Sequence, residues 1–294
     1  MVGSKSRKRL LELLVFAGPA VLLIFIAAEL PFLMSIYYSM TKWNGISKHI
    51  TFTGLRNFRE LFTDDSTFFP SLWFTFKYTF FNVIATNVAA ILLALGLSKA
   101  LKTANVLRAV FFVPNIVSLV VIGFVWKFIF SLGTTSLYEA TGWGFLEWSW
   151  LGSIKLAFSS VLMVSVWQAV GFYMMIYITG LSSIPDDINE AAELDGARGF
   201  RKFFAITLPL LMPSFTVAMF MSLANSLKVF DIIYTLTFGG PGDSTRSLSL
   251  DIYTEAFVNN RYGYATAKSI VFVLIVLIIT VVQVKFFKSK EVEA

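Results

Sequence analysis

The chain has 294 residues, of which 56% are hydrophobic and only 14% charged, whereas soluble domains carry about 25% charged residues. This balance excludes an ordinary water-soluble core. The net charge is +6, and because the basic residues lie near the ends of apolar segments, they indicate membrane topology rather than a nucleic-acid partner. The absence of cysteine excludes disulfides, thiolate metal sites and cysteine nucleophiles, and the single histidine, His49, argues against a metal site or a serine–histidine catalytic pair.

Six apolar segments are long enough to cross a bilayer, because about 20 apolar residues in a helix span the roughly 30 Å hydrocarbon layer. Backbone groups inside hydrocarbon need internal hydrogen-bond partners, so each single run is predicted to be a helix. We predict an all-α, polytopic membrane protein in which residues 1–294 form one transmembrane domain. The predicted spans are 11–40, 72–97, 106–131, 154–181, 205–234 and 265–287. The basic start followed by a long apolar run is expected to be a retained first helix.

The orientation follows from the placement of lysine and arginine, which accumulate in cytoplasmic connections. Of the 24 basic residues, 13 lie in one set of connections and 6 in the other. The richer set comprises 1–10, 98–108, 182–203 and 285–294, and the poorer set comprises 41–71, 132–153 and 235–264. The richer set is therefore predicted to be cytoplasmic, with both chain ends inside.

The most informative polar interruption runs from Ser182 to Pro213 on the predicted cytoplasmic side. Its pattern predicts a short helix with an acidic face and a small apolar side, stopped at Gly196 and followed by basic residues. Such a helix–turn–helix suits docking of a partner, and an amphipathic helix that lies in the membrane interface without a partner fits the composition equally well.

These residues carry a family resemblance. The spacing resembles the EAA signature of ABC importer permeases, and it is carried by Glu190, Ala191, Ala192, Gly196, Ile206, Leu208 and Pro209. A second stretch from Phe230 to Phe257 resembles a conserved segment of the carbohydrate-uptake, MalF-like branch, and a weaker match lies at Phe52–Phe58. The chain lacks the extra N-terminal spans and large outer domain of the longest MalF-like members, so it resembles the shorter six-span members.

The resemblance implies a MalF/MetI-like permease fold with a cytoplasmic coupling helix in the segment 182–209. It also implies one half of the translocation pathway of a binding-protein-dependent importer for a sugar, an oligosaccharide or a glycerol-phosphate-like solute, in the bacterial inner membrane. The residues implied to contact the ATPase are Glu190, Ala191, Ala192, Asp195, Gly196 and Arg198.

The implied partners are a second homologous permease in a heterodimer, two cytoplasmic ATP-binding subunits, an extracytoplasmic solute-binding protein and the lipid bilayer. ATP and magnesium belong to the ATPase subunits, so no cofactor and no catalytic or metal-binding residue is expected in this chain. The chain contains no phosphate-binding loop and is therefore not expected to be an enzyme.

Polar residues inside predicted spans are costly, and this makes them candidates for the solute pathway. The aromatic face of Trp167 beside the amide of Gln168 suits a sugar, but such an amide also forms hydrogen bonds between helices. Lys228 and Asp231, late in the fifth span, either contact solute or neutralise each other. The carboxylate of Glu29 in the first span also fits the outer edge of the membrane. These candidates are Trp167, Gln168, Asn225, Lys228, Asp231 and Glu29.

An outer turn at Gly239, Gly240 and Pro241 either reflects loop geometry alone or, by the resemblance, contacts the binding protein or forms the outer gate. Two other functional classes remain open from the residues. A self-contained secondary carrier or channel is one, although no clear internal repeat supports it. A membrane-embedded sugar transferase is the other, although it would require clustered acids or histidines at the membrane face.

Overall fold

The structure is a computed structural model that describes residues 13, 15–98 and 102–289, apart from the side chains of Asn189 and Glu193. The start of the predicted span 11–40 and the whole of the basic connection 1–10 lie outside the described residues. Two short strands, β1 (Thr41–Lys42) and β2 (Thr51–Phe52), pair antiparallel with Thr41 opposite Phe52.

The described part of the chain contains twelve α-helical elements, besides one 3-10 helix at Gly144–Glu147. They are α1 (Gly18–Ser39), α2 (Arg56–Thr63), α3 (Phe68–Leu97), α4 (Ala104–Ile116), α5 (Leu119–Thr141), α6 (Ile154–Ser182), α7 (Asp186–Leu194), α8 (Gly199–Leu210), α9 (Met212–Leu227), α10 (Asp231–Leu236), α11 (Leu248–Tyr253) and α12 (Tyr262–Lys288). Within α1, α5 and α8, and directly after α11, five-residue π-helical turns widen the helix locally.

Five helices, α1, α3, α5, α6 and α12, are long and apolar enough to cross a membrane. A sixth span forms if α8 and α9, which meet at an angle of 77°, are counted together. The prediction of an all-α membrane protein with about six spans is confirmed. The described residues cluster into two compact units, of which unit 1 is drawn from Met1–Asp65 and Ile252–Val273, and unit 2 from Ser66–Asp251 and Leu274–Ala294.

The prediction that 106–131 is one continuous helix is wrong. The chain is extended at Val117 and Ser118, with ψ of 139° and 132°, so α4 ends there and α5 begins. Pro114 cannot donate a hydrogen bond within α4, and Ser118 adopts the extended backbone that N-cap residues prefer. Apolar composition alone does not register such a break, because the segments on both sides of it are apolar.

The predicted span 205–234 is also interrupted. The helix breaks at Leu211 between α8 and α9, and again at Lys228–Phe230 before α10. Pro209 and Pro213 lack the N–H groups that a continuous helix needs, and the ring of Pro213 would clash with the carbonyl four residues earlier. The break is therefore a consequence of proline spacing.

The core of unit 2 is a bundle in which α3 packs along α6, with α4 and α9 against them. Its buried residues include Ala90, Ala94, Met174, Tyr177 and Leu211. Gly171 allows α4 to approach α6 closely, because a Cβ atom at this position would lie 2.0 Å from the carbonyl oxygen of Phe111. A small residue at such a crossing is typical of helix packing in membranes.

Unit 1 contains an ionic cluster at the start of α12. Lys268 is fully buried, and its Nζ lies 2.6 Å from Asp65 and 3.9 Å from Glu255. Tyr264 donates a hydrogen bond to Asp65, and Arg261 pairs with Glu60. Burial disfavours the charge on Arg261, but the hydrogen bond and attraction of Glu60 outweigh it and raise the pKa of the guanidinium.

We expect Lys268→Ala to lower the free energy of unfolding by about 3–5 kcal/mol, because it leaves the carboxylate of Asp65 buried without its cation. The matched control is Lys155→Ala, which removes an exposed lysine and is expected to cost at most about 0.5 kcal/mol. Denaturant titration of the purified protein in detergent measures both. Equal stability of the two variants would contradict this role of Lys268.

Candidate functional site

The EAA segment forms helix α7 and a tight turn. Gly196 has φ of +74°, a conformation that glycine adopts without strain, and no atom lies within 4 Å of the Cβ position that a larger residue would add. Ala197 N–H donates to the carbonyl of Ala192 at 2.9 Å. This six-to-one bond across a left-handed glycine is the Schellman motif, which ends a helix by satisfying its last carbonyls.

The turn has a buried inner side and an exposed outer side. Ala192 and Ala197 are only 4% and 8% exposed, which is the apolar contact that accompanies this motif. Leu194 and Phe200, in contrast, are 89% and 84% exposed. The predicted coupling residues on the exposed side are Glu190, Ala191, Asp195, Gly196 and Arg198. Ala192 is therefore placed to shape the turn rather than to face outwards.

The sequence pattern places Leu194 on the small apolar side of the predicted helix, but it predicts neither the exposure of Leu194 nor a role for Phe200. The two large apolar side chains flank the glycine turn, and both sit in a strongly polar stretch where a solvated surface would favour polar residues. Their position next to the EAA spacing is the signal that identifies them.

The predicted pathway residues fall into separate settings. Trp167 is exposed on α6 and makes an edge-to-face contact with Trp126 at 5.5 Å, while the neighbouring Gln168 is half-buried. Asn225 on α9 is exposed, with its amide 3.5 Å from the hydroxyl of Tyr173 on α6. Packing between α6 and α9 therefore brings the Asn225 amide to α6, through Tyr173.

Lys228 and Asp231 do not share a helix, because the chain breaks between α9 and α10. Lys228 is the exposed residue that ends α9, and Asp231 is the half-buried first residue of α10. Among the described residues no ion pair joins them, so the alternative of mutual neutralisation within one helix loses its geometric basis. Glu29 belongs to unit 1, where it is exposed at the end of the π-helical turn of α1.

A polar seam joins α3, α6 and α9 inside the bundle. The amide of Asn82 donates to Ser226 at 2.8 Å, and that of Asn87 donates to Ser222 at 2.9 Å. Tyr177 donates to the carbonyl oxygen of Asn87 at 2.6 Å. The buried amides of α3 are thus used to bind the helices together, as expected for polar residues in a membrane bundle.

The outer turn is a closed loop held by two threonines. Gly239 has φ of +84°, and Gly240–Pro241 is a cis peptide bond. Thr245 is fully buried, and its hydroxyl lies 2.8 Å from that of Thr237 and 2.7 Å from the carbonyl oxygen of Gly240. A backbone hydrogen bond also runs from Thr245 N–H to the carbonyl oxygen of Gly239 at 3.0 Å. The loop therefore has one defined shape.

This loop is also tied to neighbouring elements of unit 2. Ser247 donates to the carbonyl of Val229 at 2.8 Å, and Leu248 N–H donates to the hydroxyl of Thr75 at 2.9 Å. Arg246 pairs with Asp243 at 3.0 Å. These bonds connect the loop to α3 and to the break after α9.

The chain is similar to known membrane transport proteins. A family model described as "Binding-protein-dependent transport system inner membrane component" matches residues 86–291. A probable starch degradation products transport system permease protein, AmyD of Thermoanaerobacterium thermosulfurigenes, is 37% identical over 95% of this chain and 94% of its own length. The multiple sugar-binding transport system permease protein MsmF of Streptococcus mutans is 36% identical over 89% of this chain and 90% of its own.

A more distant relative is the trehalose/maltose transport system permease protein MalF of Thermococcus litoralis, which is 33% identical over 83% of this chain and 85% of its own. Among solved structures, a chain of a bacterial ABC transporter that imports alginate superposes with a TM-score of 0.83 at 21% identity, covering 98% of this chain and 99% of that one. The structural match shows a shared fold, and the family and sequence matches show that this chain belongs to the binding-protein-dependent transport system inner membrane components.

Proposed function

We propose that this chain is the permease subunit of an ATP-driven importer for a sugar, an oligosaccharide or a related polar solute. The observation that carries the proposal is the EAA spacing in a chain of the binding-protein-dependent family. This spacing lies on a helix that ends in a glycine turn, and the exposed Leu194 and Phe200 flank that turn. The names of AmyD, MsmF and MalF refer to starch degradation products, multiple sugars and trehalose or maltose, and they support the carbohydrate class.

In this proposal α7 and its turn dock into a cleft on a cytoplasmic ATPase. Leu194 and Phe200 supply apolar contact area, and Glu190 and Arg198 supply charges of opposite sign that orient the partner. Ala191 allows close approach, and the buried contact of Ala192 with the turn keeps it in one shape. Gly196 and Asp195 complete the exposed turn.

The chemistry of ATP hydrolysis belongs to the two partner ATPases, which hold ATP and magnesium. The chain itself acts as a lever. Closure of the ATPase pair moves the docked turn, and α8 and α9 transmit that movement to the membrane as one part of a two-state change. Rigid attachment is required for such a lever, and the proline-defined bend between α8 and α9 supplies a fixed angle of 77°.

A second permease is proposed to complete the solute pathway. The proposed contacts to solute are Trp167, Gln168, Asn225, Lys228, Asp231 and Glu29. Support comes from the exposure of Trp167, Asn225 and Lys228 in the structure, since polar side chains in membrane-spanning segments are costly and are often functional.

The loop around Gly239, Gly240 and Pro241 is proposed to meet the extracytoplasmic binding protein or to form the outer gate. A preformed loop binds a partner without first losing conformational entropy, which favours recognition. Support comes from its closed hydrogen-bond pattern and from the exposure of Phe238, which is 54% exposed at φ of +50°.

We expect Gly196→Ala to reduce solute uptake about tenfold while the protein still inserts, because alanine strains a left-handed turn by about 1–2 kcal/mol and disorders the docking surface. The matched control is Gly142→Ala, which imposes the same strain at φ of +72° in an outer connection with equally open space. The measurement is ATP-driven uptake by proteoliposomes that contain both permeases, the ATPase and the binding protein.

Uptake by the wild-type complex without ATP would overturn the importer assignment and favour a self-contained carrier. Equal loss of uptake in both glycine variants would overturn the specific role of the turn.

We expect Thr245→Val to loosen the outer loop, because it removes two hydrogen bonds of a fully buried hydroxyl, at a cost of about 1–3 kcal/mol. Trypsin cleavage after Arg246, which is mostly buried, should become roughly 5- to 100-fold faster if local opening limits the rate. Thr141→Val is the control, since Thr141 is exposed and its hydroxyl bonds, among the described residues, only to Leu137 and Trp143, which are close to it in the chain. An unchanged cleavage rate would show that Thr245 does not hold the loop.

A further inference from the structure

Unit 1 contains a polar cavity of about 630 Å³ that plays no part in the coupling segment. Its walls come from the connection between β1 and β2, from α2 and from the residues that begin α12. The charge rule places this region on the extracytoplasmic side. The volume lies within the range of about 300–1,000 Å³ that is typical of small-molecule sites.

The walls of the cavity are fixed by backbone bonds. Gly263 N–H donates to the carbonyl of Trp43 at 2.9 Å, and Thr53 N–H donates to that of Met40 at 2.8 Å. A Cβ atom on Gly263 would lie 2.1 Å from the carbonyl oxygen of Thr41, so the start of α12 is in direct contact with β1. The cavity is therefore formed without a ligand, which lowers the entropic cost of binding.

Two amides present complementary hydrogen-bonding groups. Asn57 is 7% exposed, and its NH₂ donates to the carbonyls of Ser39 and Thr41 at 2.8 and 2.9 Å, which leaves its carbonyl oxygen as an acceptor. The carbonyl oxygen of Asn44 accepts from the N–H groups of Ile46 and Ser47 at 3.1 and 2.8 Å, which leaves its NH₂ as a donor. The NH₂ donor of Asn44 and the oxygen acceptor of Asn57 thus line one cavity, and hydrogen bonds to the other end of each amide hold it in place.

An aromatic ring and charged groups complete the lining. Trp43 stacks on Tyr38 at 4.4 Å and is held by a hydrogen bond from its Nε1 to the carbonyl of Ser47 at 2.8 Å. Glu60 and Arg261 form an ion pair on the wall, and Arg56 is exposed beside it. Carboxylate, guanidinium and amide groups next to a fixed indole suit a ligand with many hydroxyl groups and an apolar C–H face. A lipid chain or a bare metal ion would leave most of these groups unused.

We infer that this cavity is a saccharide-binding subsite on the permease itself, separate from the proposed span residues. It takes a small oligosaccharide, with a ring against Trp43 and hydroxyl groups on Asn44, Asn57, Arg56 and the Glu60–Arg261 pair. The substrate class rests on the proposed function, whereas the presence of a polar ligand site rests on the geometry of unit 1 alone.

The test uses the complete complex in lipid nanodiscs without the binding protein. Titration calorimetry measures binding of maltotriose, trehalose, diacetylchitobiose and an arabinooligosaccharide. At least one saccharide should bind, and the substitutions Arg56→Gln and Trp43→Phe should each weaken its affinity about tenfold. The affinity of the matched control variants should stay within about twofold of the wild-type value. They are Arg59→Gln, a basic residue of α2 outside the cavity, and Trp143→Phe, an exposed tryptophan of unit 2.

Absence of binding by the wild-type complex, or equal binding by cavity and control variants, would overturn the subsite. Loss of affinity for the binding protein without saccharide binding would also overturn it and make the cavity a docking surface. ATP-driven uptake with the binding protein present is measured in parallel. Uptake that persists without saccharide binding removes only this inference, whereas absence of uptake from the wild-type complex removes the proposed function.

Discussion

The structure depends on one constraint, which is that backbone N–H and C=O groups inside hydrocarbon must find partners within the protein. Long helices such as α3 and α6 meet it by themselves, and buried side chains then bind these helices together. The seam of Asn82, Asn87 and Tyr177 is an example, since each makes a hydrogen bond that lipid would not provide. The same constraint makes every interruption of a span informative.

Three interruptions lie where the chain changes direction or presents a surface. The break at Val117–Ser118 separates α4 from α5, and the break at Leu211 sets a bend of 77° next to the coupling segment. The third, at Lys228–Phe230, is bonded to the outer loop through Ser247 and the carbonyl of Val229. Membrane bundles tolerate such breaks where protein contacts replace the lost helical bonds. The second break ends α8, the helix that follows the turn at Gly196, and the third is tied to the outer loop.

Apolar length and charge placement were enough to predict the class and the approximate number of spans, and the glycine stop predicted the short helix before Gly196. They were not enough to locate the breaks, because the segments on both sides of Ser118 and of Leu211 are apolar. The pattern placed Leu194 on an apolar helix side but did not predict its exposure, and it missed Phe200, because a pattern does not reveal which apolar side chains lack an internal contact. The cavity beside Trp43 was missed because its walls are far apart in sequence, and only tertiary packing brings α12 to the first outer connection.

The central claim is that the turn after α7 lies in the cytoplasm and docks on the ATPase. The chain contains no cysteine, so a single Leu194→Cys substitution gives a unique thiol at a site that is 89% exposed. A membrane-impermeant maleimide should label it in inside-out vesicles that lack the ATPase, and addition of the ATPase should protect it. Trp143→Cys, in an outer connection, should be labelled only from the opposite face, with or without the ATPase. Labelling of Leu194→Cys from the outer face, or labelling that the ATPase does not change, would contradict the account.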